Sequence, residues 1–174
     1  MITILNTYGT IANVESFMQQ LLLFSKEEQC VIQAFDAQLI YGEDHLISAT
    51  LHAKRAFQQG TNATNSLALE ILLYAAGERQ IQKAINKIGV KQGRQQIVFL
   101  LTDFTDRKRK KGSEKPLLHR LLTRFQLTRG EQTPKGNRET LKCFGITDKE
   151  LSTLPEEKYG DLILERVAMV DVIK

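Results

Sequence analysis

Thr61-Asn62-Ala63-Thr64-Asn65-Ser66-Leu67-Ala68-Leu69-Glu70-Ile71-Leu72-Leu73-Tyr74-Ala75-Ala76-Gly77 is the stretch on which the fold turns. Four of its first five residues are polar, and side chains that bond to nearby backbone favour helix entry over helix interior. Ser66 to Ala76 then reads as a helix whose only charge is Glu70, and Gly77 ends it. A helix apolar on nearly every face lies at the centre of a fold, or is covered once by its own domain and once by a partner. The run Ile71 to Ala76 is the longest apolar stretch in the chain, and its six residues fall far short of the ~20 that span a bilayer.

Working outward, Ile81, Ala84, Ile85 and Ile88 recur at i, i+3, i+4, i+7 and predict an amphipathic helix ended by Gly89. Glu78, Arg79, Gln82, Lys83, Asn86 and Lys87 form its wet face. The apolar run Gln96 to Thr102 predicts a central strand. On the N-terminal side, Leu46, Ala49, Ala53 and Ala56 share one face of a helix that follows Gly42, takes Asp44 as its cap and stops at Gly60. Before it come a short strand at residues 2–5, a helix over Val14–Phe24 capped by Asn13, and a strand from Cys30 to Phe35. Beyond residue 116, Leu117, Leu118, Leu121, Leu122 and Phe125 predict a short helix. Thr140–Phe144 reads as an edge strand, Asp148–Leu154 as a helical turn, and residues 156–170 as a last helix. Strands and helices interleave, so the class is α/β or α+β, in one domain over residues 1–174.

Charge is unevenly placed. Residues 107–138 hold eleven basic and two acidic side chains, a net +9, while the rest of the chain carries −5. A basic segment on a mildly acidic body attracts polyanions, because each cation that neutralises a phosphate releases a counterion. A solvated loop and helix face is the plainer reading of the same charges. Cys30 and Cys143 stand 113 positions apart with no CxxC spacing, which suits two reduced thiols in a cytoplasmic protein. The residues Met1 to Asn6 lack the charged start of a signal peptide.

Catalytic chemistry is sparse. Gly89-Val90-Lys91-Gln92-Gly93-Arg94 has neither Walker nor Rossmann spacing, and no GxSxG occurs. His45 and His52 lie two helical turns apart without further ligands at metal spacing. Asp103 and Asp106 follow the central strand, where paired carboxylates can hold Mg²⁺; a small Mg-dependent tRNA- or nucleotide-processing enzyme is the alternative they support. A scaffold that buries the third helix against a second copy, with weak self-association, is another. No nucleophile, base and orienter stand out together.

Three stretches resemble a known family. They are Phe35-Asp36-Ala37 through Gly42, His45, Leu46, Ala49, Ala53 and Ala56; Asn62 through Ile81 with Ala84, Ile85, Gly89 and Val90; and Phe144-Gly145-Ile146-Thr147, Glu150, Leu151 and Leu162 through Asp171. Together they resemble the small kinase-associated subunit of the KEOPS (EKC) complex, the family of the PRPK-binding protein. The likeness covers roughly residues 30–103 and 140–172 and leaves out the basic segment 104–138. It implies one domain with a mixed sheet flanked by helices. It also implies a non-catalytic, cofactor-free subunit that binds the small atypical kinase/ATPase of the complex and helps recruit tRNA by its single-stranded 3′ CCA end. The assembly makes N6-threonylcarbamoyladenosine in tRNA. On that reading Leu67, Ile71, Tyr74 and Ile81 are expected at the kinase. Lys54, Arg55, Asn62, Asn65 and Arg79 are expected at the tRNA end, where the polar pair Asn62 and Asn65 marks a helix N-terminus, and Arg107, Lys108, Arg109, Lys110 and Lys111 add nonspecific attraction.

Overall fold

The computed structural model describes residues 1–104 and 114–173. Its elements run β1 (Ile2–Ile11), α1 (Val14–Glu27), β2 (Val31–Asp36), α2 (Glu43–Gln59), α3 (Leu67–Ala76), α4 (Ile81–Ile88), β3 (Gly93–Thr102), α5 (Glu114–Arg124), β4 (Thr128–Arg129), α6 (Arg138–Cys143), α7 (Asp148–Leu151) and α8 (Tyr159–Val172). The chain divides into two compact units, each built from two stretches.

The first unit, residues 1–37 and 90–133, holds the sheet, in the order β2-β3-β1-β4. The expected helices and sheet are present. The sheet differs from the mixed one implied by the resemblance: each pairing is antiparallel, because β3 runs between β1 and β2 in the opposite direction. β3 is interior, as its unbroken apolar run predicts. β1 is longer than the four residues read from sequence and pairs with β3 from Ile2↔Thr102 to Ile11↔Gly93. Its polar middle hides the strand, yet those side chains find partners: the Thr7 hydroxyl donates to the Ile97 carbonyl at 3.0 Å, and Asn6 Nδ2 to that of Gln132 at 2.6 Å. One sheet face, with Leu5, Ile32, Ala34, Ile97, Phe99 and Leu101, packs against Leu21 and Phe24 of α1 and Leu117 and Leu121 of α5. Alternation along three strands thus meets 3.6-residue periodicity on two helices.

The second unit, residues 38–89 and 134–174, is helical. α3 is its centre, with α2, α4 and α8 packed around it. Ala49, Ala53 and Ala56 of α2 are buried, the close packing their size predicts. Asp44 is not the cap of α2. Gly42, at φ +85, takes that place without a side-chain bond, and Asp44 sits in the first turn, where its charge suits the helix dipole. Thr140–Phe144 is not an edge strand. Asn137 and Thr140 form a capping box that starts α6, and the left-handed Gly145 follows its end. Leu141 and Phe144 are therefore an i, i+3 pair facing the core rather than strand alternation.

Candidate functional site

The loop between α2 and α3 is held from within. Glu70, wholly buried one turn into α3, accepts from the backbone N–H of Ala63 at 3.1 Å and of Thr64 at 2.9 Å, and from the Thr64 hydroxyl at 3.0 Å. A buried carboxylate is tolerable when donors surround it, and these all come from one short loop. Ser66 caps α3 by accepting from the Leu69 N–H. Asn62 and Asn65 therefore do not cap it: Asn62 Nδ2 donates to the Thr64 carbonyl at 2.9 Å, and Asn65 is exposed just before the cap.

Lys54 and Arg55 lie in the last turns of α2, leading into this loop. Arg55 is exposed and its charge reaches the Tyr74 phenol. That phenol donates to Asp171 Oδ1 near the end of α8, while His52 Nδ1 lies 2.7 Å from Asp171 Oδ2 and its ring stacks on Tyr74 at 5.6 Å. Burial first, then the bond to and charge of Asp171, push the Tyr74 phenol up, so it stays a donor. Arg79 falls beyond Gly77, the C-cap of α3. A ten-residue helix is about 15 Å long, so Arg79 is not gathered with Asn62 and Asn65.

Of the four residues expected at the kinase, Leu67, Ile71 and Tyr74 are 4%, 0% and 0% exposed. Three helices pack against α3, and these side chains lie in the core of the helical unit. Ile81 is 39% exposed, and Ile85, one turn on, is 37% exposed. The two make an apolar step on α4, while Ala84 and Ile88 are buried. Lys87, read as wet, is instead largely covered: it donates to the Ala76 carbonyl at the end of α3 (2.7 Å) and lies 4.4 Å from the Phe144 ring centroid. Burial lowers its pKa, against the pull of Glu78.

Three features rest on pairings that the sequence does not reveal. His45 is buried, its Nε2 2.8 Å from the Ala75 carbonyl and its Nδ1 accepting from the Tyr41 N–H at 3.1 Å. Arg166 donates to Glu150 Oε1 at 2.6 Å. The third is the Glu70 clamp, whose partners lie six and seven residues back.

Arg107 to Lys111 and Asp106 lie outside the described residues. Of the basic residues nearby, Arg120 and Arg124 pair with Glu28 and Glu27. Asp103 is 6% exposed and lies 3.7 Å from the amino group of Met1. Among the described residues no helix is long and apolar enough to cross a membrane, and no three His, Cys, Asp or Glu side chains cluster to hold a metal ion.

A family profile described as Kinase binding protein CGI-121 matches residues 8–171. A KEOPS complex subunit Cgi121 of Pyrococcus abyssi is 36% identical over 66 residues, which cover 37% of this chain and 39% of that protein.

Proposed function

Because the chain belongs to the CGI-121 family of kinase-binding proteins, we propose that it is the non-catalytic, kinase-binding subunit of a KEOPS-type assembly and acts as one functional domain. The observation that carries the reading is the exposed Ile81–Ile85 step. An apolar pair one turn apart on a helix fits the groove or flat face of a constitutive protein partner. Gln82, Lys83 and Asn86 lie exposed beside it, and Arg79 just ahead of it, as the polar rim such an interface needs.

The deciding experiment is capture of the small kinase/ATPase by the purified chain. A glutamate at Ile81 or Ile85 would bury an unpaired charge in the interface, costing about 3–5 kcal/mol, or more than a hundredfold in affinity, with the far-UV spectrum unchanged. Folded variants that capture the kinase as well as wild type would overturn the reading.

The same subunit assists threonylcarbamoylation by holding the 3′ end of tRNA. What supports this is the net +9 of residues 107–138 and the run of Lys54 and Arg55 into the loop bearing Asn62 and Asn65. Alanine at Lys54 or Arg55 should weaken intact tRNA more than tRNA lacking CCA. Equal losses on both RNAs would remove the 3′ end from this loop.

A further inference from the structure

A cleft of about 410 Å³ in the helical unit belongs to none of the surfaces used so far. Three pieces of chain wall it: Tyr41 ahead of α2, residues around Gly136 and Arg138 at the start of α6, and Glu156 with Tyr159 at the start of α8. The walls are tied together. The Gly42 N–H donates to the Pro134 carbonyl at 3.1 Å, and the Thr140 hydroxyl to that of Gln38 at 2.9 Å. Tyr41 is seated so closely on the backbone of Gly136 that a Cβ there would come within 2.2 Å of the ring. The cleft is therefore preformed, as ligand sites usually are.

Its chemistry selects a charge sign. Glu139 is engaged by Lys142 at 3.4 Å, whereas among the described residues Glu156 forms no ion pair. The Glu156 charge reaches the Tyr41 phenol, which burial and that charge together push up. Two tyrosines beside an uncommitted carboxylate attract a cation through ring quadrupoles and a charge-assisted hydrogen bond. Arg138 is the one opposing charge in the lining.

We propose that this cleft receives an arginine side chain from a basic peptide segment of a protein partner, with Glu156 as its acceptor and Tyr41 and Tyr159 as its aromatic walls. The proposal rests on neither the kinase nor the tRNA reading.

The chain has four tyrosines and no tryptophan, so tyrosine emission reports on the site directly. The probe is acetyl-Gly-Arg-Gly-amide, titrated into the intact protein, with citrulline and glutamate peptides of the same frame as controls. A saturable change with the arginine peptide is expected, at least about tenfold weaker with citrulline, which keeps the shape and loses the charge. Glu156→Gln should weaken the arginine peptide by a similar factor and leave the circular dichroism unchanged. Three results would each overturn the proposal: no saturation by the arginine peptide, equal binding of citrulline, or tighter binding of the glutamate peptide. So would a folded Glu156→Gln that binds arginine as wild type does; Tyr41→Leu, expected to reduce the same binding, gives a second check.

Discussion

Lowering the pH should unfasten the helical unit at His45. Its ring is 1% exposed and bridges two backbone groups, 2.8 Å from the Ala75 carbonyl and 3.1 Å from the Tyr41 N–H. The Tyr41 N–H can only donate, so Nδ1 must be the unprotonated acceptor and Nε2 the donor. Burial holds the imidazole neutral and takes its pKa down to about 4; the bond to Ala75 opposes that, and the charge of Lys87 adds to it. The folded pKa lies below the unfolded 6.5, so the unfolded chain binds the extra proton first. The stabilisation is complete above about pH 6.5 and drains away as pH falls towards 4. At 1.36 kcal/mol per unit, the loss is roughly 3 kcal/mol, a large part of the 5–15 kcal/mol that holds a typical domain folded. Urea unfolding of wild type and His45→Gln between pH 7.5 and 4 measures it. Glutamine can keep both bonds and cannot titrate, so carboxylates common to both proteins cancel in the difference. Wild type should lose about 3 kcal/mol more than the variant across this range. Parallel pH slopes would refute a neutral, buried His45.

Other outcomes follow from the same contacts. Ile71→Ala should cost about 2–5 kcal/mol in urea unfolding, since the side chain is fully buried in α3. Glu70→Gln leaves loop donors short of an acceptor and should cost about 1–3 kcal/mol, with hydrogen exchange at Ala63 and Thr64 accelerating before the rest of α3. Glu150, held down to about 2 by the Thr147 N–H and then Arg166, should support α7 above about pH 4.5 and release it as pH falls towards 2, which carboxyl-resolved NMR titration reads. Neutralising Arg107 to Lys111 should reduce the salt slope of tRNA binding equally with and without the CCA end.

The elements legible in the sequence are those whose signals are local. Asn13, Gly60 and Gly77 stand at the helix ends their chemistry predicts, and the apolar run of β3 is interior. The misses depended on partners distant in sequence. β1 looked short because Asn6 and Thr7 are polar, and only residues some 90 to 126 positions away satisfy them. Thr140–Phe144 reads as extended because Leu141, Lys142 and Cys143 alternate apolar and polar, while the bond from Thr140 to Gln38, 102 positions away, is not legible in the sequence. Asn62 and Asn65 had cap chemistry in common with Ser66, and a string of such residues does not say which one takes the cap.

The candidate surface shows why periodicity finds a helix face but not its owner. Ile81, Ala84, Ile85 and Ile88 are one stripe in sequence, yet successive helical residues turn by 100°, so the Ile81–Ile85 row and the Ala84–Ile88 row lie about 60° apart. A neighbouring helix covers one row and leaves the other at its edge, and here the smaller alanine row is the one taken in. On α3 the three neighbouring helices leave only Ala68 and Leu69 half-buried. A fully buried side chain offers a partner nothing, whereas a stripe wider than its contact leaves a surplus. That surplus, Ile81 and Ile85, is what a second protein can remove from water without disturbing the core that positions it.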